Sequence, residues 1–313
     1  MATFAVVFPG QGSQYPGMAQ DLYRREQSVK DLFALAGEVL GRDMASLCFE
    51  GPQEALDLTA NTQIAVLIAD LASWLAFSRR MAAAPAMMAG HSLGEYAALY
   101  AAGAVALRDV LSLVDLRGKY HQEAVPVGEG AMAAILGLPK ETVEELCRNI
   151  DDKRHAVAFS IENAPGQIVV SGHTTAIDQI IAAAERKDGG RGVKLSISVP
   201  CHCRLLQGAA ERFAAELHKV EFKDCGIPVI PNCDPDLLHA RDRSREILAR
   251  QITSPVRWKE TIERMAASGI DTIVELGPKR TLSGLIRRID RRLRILNVED
   301  GESLEKTAAA LNE

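Results

Sequence analysis

The chain has 313 residues, 47% of them hydrophobic and 25% charged, with a formal net charge of −5. That length buries a large core, as one big domain with an insertion or as two domains, and the acidic balance argues against a general nucleic-acid binder. No apolar stretch reads as long enough to span a membrane, and Met1-Ala2-Thr3-Phe4 lacks the charged start of a leader, so the expected location is cytoplasmic.

Thr3 to Phe8 is a continuous apolar run, short and rich in β-formers, as expected of a strand buried in a parallel sheet. It runs into Pro9-Gly10-Gln11-Gly12-Ser13-Gln14. A dinucleotide loop would need a glycine where Tyr15 stands, which leaves two readings. The loop is either a tight turn or a row of backbone N–H groups offered to an oxyanion or phosphate. Residues 19–40 and 53–58 read as helices, and apolar side chains at Ile64, Leu67, Ile68, Leu71, Trp74 and Leu75 give a third over 62–77.

Next comes Gly90-His91-Ser92-Leu93-Gly94, a G-x-S-x-G pattern between the apolar run 84–89 and the alanine-rich segment 97–102. Strand, sharp turn and helix in that order would expose the Ser92 hydroxyl as a nucleophile, although the five-residue pattern also arises by chance. The helix expected over 107–123 has a buried stripe of Leu107, Val110, Leu111 and Val114 whose next member is Arg117. A buried guanidinium needs a partner, and Asp115 faces elsewhere on the helix. Arg117 is either the grip for a substrate carboxylate or half of a distant ion pair, or it snorkels to solvent.

Pro126 to Gly130 reads as a linker. Strands over 131–136, 155–161, 167–171 and 193–199, with helices over 140–149 and 176–186, follow in β-α-β-β-α-β order, that of a ferredoxin-like unit. Lys187 to Gly192 is expected to be a mobile loop. His202, just past the last of these strands, and His173 both stand where a catalytic base could, and either could instead be structural. No histidine follows His239, which weakens the ordinary hydrolase reading with its late histidine. Cys201-His202-Cys203 lacks zinc spacing, so no metal is expected, and the six scattered cysteines read as reduced thiols. Helices over 205–220, 242–251 and 258–267 and strands over 228–232 and 272–275 follow. Lys279, Arg280, Arg287, Arg288, Arg291, Arg292 and Arg294 then form a basic cluster, a solvated face or a dock for an acidic partner.

Nine segments together resemble the malonyl-CoA:acyl-carrier-protein transacylases of the bacterial fatty-acid synthase type. They are Phe8–Gln14, Thr62-Gln63, Gly90–Tyr96, Arg117–Lys119, Gly130–Ala134, Asn163–Gln167, Val199–His202, Gln251–Trp258 and Glu275–Pro278. The resemblance implies an α/β fold with a large α/β-hydrolase-like domain built on a parallel sheet, residues 1–127 and 199–313. A ferredoxin-like subdomain, 128–198, would be inserted in it. It implies Ser92 as nucleophile, His202 as base, and the N–H groups of Gln11 and Leu93 as oxyanion hole. Arg117 would clamp the malonyl carboxylate, the main-chain carbonyl of Gln251 would orient the histidine, and Asn163 would support the site.

The implied substrates are malonyl-CoA and an acyl carrier protein docking near Arg287, Arg288 and Arg291, with no cofactor. The chain is expected to act as a monomer. It departs from the family at Cys201, Glu162 and Ile64, and Cys201 beside the base puts strict malonyl selectivity in question. A stand-alone polyketide acyltransferase, a malonate decarboxylase subunit, a thioesterase and a carrier-binding module without chemistry are the alternatives.

Overall fold

The computed structural model describes residues 3–152, 154–197 and 199–312. Among them the strands are β1 (Phe4–Phe8), β2 (Met87–Gly90), β3 (Gly130–Leu136), β4 (Val157–Ala164), β5 (Gln167–His173), β6 (Arg191–Lys194), β7 (Val229–Ile230), β8 (Thr272–Leu276) and β9 (Arg294–Val298). They form two sheets. The larger has the order β7-β2-β1-β8-β9 with every neighbouring pair parallel, and the smaller has the order β4-β5-β3-β6 with every pair antiparallel.

Strand β1 is central in the large sheet, and all five of its residues are buried. A parallel sheet covered by helices on both faces asks for such an unbroken apolar run. The chain winds from β1 outward to β2 and β7, then returns to the other side for β8 and β9. In such doubly wound sheets ligands lie beyond the carboxyl ends of the strands, near the reversal of direction. The loop after β1 and the elbow after β2 both project there.

The helix Thr59–Ser78 lies against the helices Gln27–Leu40 and Leu107–Ala124. It is 20 residues long and, by length and composition, apolar enough to cross a membrane, which corrects the expectation that no stretch reaches that length. Most of its apolar residues are buried inside the protein instead, Ile64 to Leu71 and Phe77 among them, with Trp74 and Leu75 half-buried.

In the small sheet the period of two divides the side chains cleanly. Ala131, Ala133 and Ile135 of β3 face the helices Lys140–Ile150 and Thr174–Glu185 in a separate apolar cluster, whereas Met132 joins the main core. A register shift between Phe159 and Ile161 bends β4. Its edge is then tied to the large unit by Glu162 N–H to Val256 C=O and Val256 N–H to Ser160 C=O, both 2.9 Å.

Other expectations need correction. The helix expected over 19–40 is broken at Glu26, which is extended (φ −113°, ψ 120°), giving Gln20–Arg25 and Gln27–Leu40. A helix over Met44–Glu50, capped by Asp43, was not expected. The strand expected over 193–199 is β6, at 191–194, and Ser198 of that expected strand lies outside the described residues. Arg191 and Gly192, expected in a mobile loop, pair with Leu136 and Ile135, and a Cβ at Gly190 would lie 2.2 Å from the Ala184 carbonyl oxygen. The basic C-terminal segment forms the helix Thr281–Ile289, β9 and the helix Gly301–Asn312, none of them expected.

Candidate active site

Ser92 stands two residues past the end of β2 and has a left-handed backbone (φ 54°) ahead of the helix Gly94–Ala101. Two glycines make the turn possible. A Cβ at Gly90 would lie 1.9 Å from the Gly94 carbonyl carbon, and one at Gly94 would lie 2.3 Å from the Phe8 carbonyl oxygen. The first loop is pressed as closely onto the elbow, since a Cβ at Gly10 would meet the His91 carbonyl oxygen at 2.4 Å. Neither Gln11 N–H nor Leu93 N–H donates to an acceptor among the described residues. Both residues line the same cleft as Ser92, so two free donors can converge on a developing oxyanion.

His202 also takes a left-handed backbone (φ 60°), and its Nε2 lies 2.8 Å from Ser92 Oγ. Its Nδ1 faces two main-chain carbonyls, Gln251 at 2.9 Å and Ser254 at 3.1 Å. A carbonyl only accepts, so Nδ1 carries the proton and the Nε2 lone pair is left for the serine hydroxyl. Burial, and then the charge of Arg117, lower the His202 pKa to about 3. The resting imidazole is therefore a neutral acceptor across the physiological range.

Arg117 is 1% exposed. Its Nη1 donates to Gln63 Oε1 (2.6 Å), and its Nη2 to Gln251 Oε1 (3.1 Å) and Ser92 Oγ (3.2 Å). All these partners are neutral, and among the described residues no carboxylate pairs with it. Its Nε has no partner, and the guanidinium lies 5.5 Å from the centre of the Tyr96 ring. Asp115 pairs instead with Arg42 and with Lys119 (2.7 Å). A buried cation without a counter-charge is costly, and the unused N–H groups can grip a planar anion.

Gln251 gathers the site. Its carbonyl holds His202, its Oε1 holds Arg117, and its Nε2 donates to the Ser92 carbonyl (3.1 Å). Asn163 reaches in from β4, with Oδ1 2.9 Å from His91 Nε2, and His91 leans on Trp258 at 5.4 Å between ring centres. Gln11, Gln63, His91, Ser92, Leu93, Arg117 and His202 line one narrow cleft, with Met132, Ile161, Ile197 and Cys201 as its apolar side. Burial raises the Cys201 thiol to about 11, so it serves there as an apolar surface. The arrangement can activate a hydroxyl, stabilise an oxyanion and bind a carboxylate beside the reacting atom.

Of the site residues named from the sequence, Gln11, Ser92, Leu93, Arg117 and His202 line this cleft, and Gln251 and Asn163 bond to its walls. His173 does not, since its Nδ1 accepts the Ala156 N–H (3.0 Å). Glu162, one of the departures, pairs with Lys140 (3.0 Å) and Lys259 (3.7 Å). Sequence reasoning missed Asn232, whose Oδ1 accepts the Ser92 N–H, and the buried Glu95 and His239 behind it. Glu95, a charge at the start of an apolar helix, carried the same signal that singled out Arg117.

The acyl transferase domain family matches residues 5–304. The malonyl CoA-acyl carrier protein transacylase of Escherichia coli K12 is 41% identical over 313 residues, covering 100% of this chain and 97% of that protein. The protein of the same name from Bacillus subtilis 168 is 39% identical, covering 100% and 98%. Among solved structures, the malonyl CoA-acyl carrier protein transacylase of Coxiella burnetii superposes with a TM-score of 0.96 at 41% identity, over 100% of this chain and 98% of the other. A malonyl-transacylase in complex with a type II polyketide acyl-carrier protein gives a TM-score of 0.95 at 40% identity, over 99% and 100%.

Proposed function

The chain belongs to the acyl transferase domain family, among its malonyl-CoA:acyl-carrier-protein transacylases, and we propose that Ser92 and His202 carry out its chemistry. It is an acyltransferase that moves a malonyl group from malonyl-CoA to an acyl carrier protein for fatty-acid synthesis. The observation that carries the residue assignments is Arg117, a buried guanidinium with no counter-charge, 3.2 Å from the serine oxygen.

The malonyl carboxylate binds Arg117 through the unused N–H groups. Ser92 Oγ attacks the thioester carbonyl while His202 Nε2 takes its proton. The oxyanion is held by the N–H groups of Gln11 and Leu93, each worth about 3 kcal/mol in comparable sites. Collapse breaks the C–S bond, the CoA sulfur leaves with the proton from His202, and malonyl-Ser92 remains. A phosphopantetheine thiol then enters by the reverse route, which makes the kinetics ping-pong.

The carboxylate does more than locate the substrate. Arg117 helps to hold the His202 pKa down, so an anion on Arg117 relieves that repulsion and strengthens the base. A dicarboxylic acyl group thereby promotes its own transfer. Asn163, through His91, holds the loop side of the cleft.

The division into residues 1–127 with 199–313 and residues 128–198 belongs to this proposal, supported by two separate sheets and two apolar clusters. So do carrier docking near Arg287, Arg288 and Arg291, action as a monomer, and a cytoplasmic location, for which six free cysteines fit a reducing compartment. The structural match bound to a polyketide carrier protein favours a second reading in which the acceptor is a polyketide carrier. Incubation with labelled malonyl-CoA should place one malonyl group on Ser92, which a holo carrier then removes. Label retained by Ser92→Ala would end the assignment, and preference among purified carriers separates the two acceptors.

A further inference from the structure

The left-handed backbone of Ser92 is one that a serine does not hold by preference. Two side-chain amides brace it, Gln251 at the Ser92 carbonyl and Asn232 at its N–H. Asn232, beyond β7, accepts the Ser92 N–H at Oδ1 (2.5 Å) and donates from Nδ2 to the Gly90 carbonyl (2.5 Å), closing a ring over the elbow. Because Asn232 engages the Ser92 N–H, that group cannot turn toward an oxyanion, and the N–H of Leu93 is the one the elbow presents.

Asn232 is itself held. Its N–H donates to Glu95 Oε2 (2.8 Å), and Glu95 Oε1 lies 2.8 Å from His239 Nε2, with both side chains fully buried. Ser244 Oγ lies 3.0 Å from His239 Nδ1 and 2.8 Å from the Ala240 carbonyl, so both ring nitrogens of His239 are engaged. Ser244 opens the helix Ser244–Gln251, and Gln251 at its other end, about 10 Å away, presents the carbonyl that orients His202. One chain of buried bonds thus runs from the nucleophile's backbone to the helix that carries the base's anchor.

We propose that Asn232, Glu95 and His239 form a positioning relay that fixes the register between Ser92 and His202. The relay rests on the reading of those two residues as nucleophile and base. None of its members touches substrate. Its loss lets the elbow and the Gln251 helix drift apart, and displacement of reacting groups by an ångström costs on the order of 100-fold in rate.

The test measures the rate at which a fluorophosphonate probe labels Ser92, alongside malonyl-CoA acylation kinetics and thermal unfolding. The proteins compared are the intact wild type, Asn232→Ala, Asn232→Asp, Glu95→Gln and the double variant Glu95→Gln/His239→Gln. Asn232→Asp keeps the size and the acceptor for Ser92 N–H but loses the donor to Gly90, and it stands in if Asn232→Ala does not fold. The expected result is labelling and acylation slowed by roughly 30- to 100-fold in the Asn232 variants and Glu95→Gln, with KM for malonyl-CoA within about twofold. The double variant, which restores a neutral hydrogen-bonded pair, should recover most of the rate. Folded variants that label at the wild-type rate, or that lose activity only through KM, overturn the relay alone. A wild-type protein that fails to label overturns the nucleophile reading, and the relay with it.

Discussion

Two buried charges flank Ser92, and they are provided for in opposite ways. Behind the elbow, the carboxylate of Glu95 meets His239 at 2.8 Å, with both side chains fully buried and each polar atom engaged. In front of it, the Arg117 guanidinium is as deeply buried, yet among the described residues it faces two glutamines, a serine and an aromatic ring, and its Nε has no partner. A buried carboxylate whose oxygens are all hydrogen-bonded is complete without a ligand and serves as scaffold. A buried guanidinium with unused donors keeps a desolvation penalty that an arriving anion removes, so under the proposed clamp role the deficit itself is the specificity.

The strongest test of that contrast is Arg117→Ala. Malonyl transfer should fall by on the order of 1,000-fold in kcat/KM, while the melting temperature stays level or rises because an unpaired buried charge is gone. A variant that melts much earlier would mean that Arg117 is scaffold after all. Glu95→Ala should behave in the opposite sense, leaving the Asn232 N–H and His239 Nε2 buried without a partner and costing about 2–5 kcal/mol in denaturant unfolding. Equal stability of that variant and the wild type would remove the contrast from the other side.

Malonate alone should stabilise the wild type, by about 2.7 kcal/mol at one hundred times its Kd, and leave Arg117→Ala unmoved. The acid limb of Ser92 acylation should lie well below the ordinary histidine range, because the neutral form of His202 persists down to about pH 3. Arg117→Gln removes a cation that disfavours imidazolium, so the His202 pKa rises and the limb should move to higher pH in pre-steady-state acylation. The smallest effect is expected where charges stand in solvent. Arg287→Glu with Arg288→Glu should raise KM for the carrier by roughly fivefold, with KM for malonyl-CoA unchanged.

How much of this was legible in the sequence follows from how local each signal is. The elbow is written in five consecutive residues, and Arg117 interrupts a stripe whose other members are four or fewer positions apart, so both can be read from the chain. The oxyanion loop was half legible, because a glycine-rich turn after a strand does not say whether its N–H groups are engaged. Asn232 and His239 meet Glu95 across 137 and 144 residues, and no periodicity encodes such a meeting. The orienting role of Gln251 came from family resemblance alone, since a peptide carbonyl leaves no mark in a sequence. Strand β9 was hidden for another reason. Arg294 and its neighbours suggested a solvated face, yet Arg294-Ile295-Leu296-Asn297-Val298 pairs with β8 as the edge of the sheet, where charge is tolerated on the outer side.

The two carbonyls that orient His202 also bear on how the site withstands mutation. An aspartate in that place could be erased by a single base change in its codon. The acceptors at Gln251 and Ser254 belong to the peptide backbone and are supplied by whichever amino acid is encoded there. No point substitution deletes them, and only a change that shifts the chain itself can pull them away. The anchor of the proposed base is thus insulated from genetic drift in a way that the side chains of Ser92, Arg117 and His202 are not.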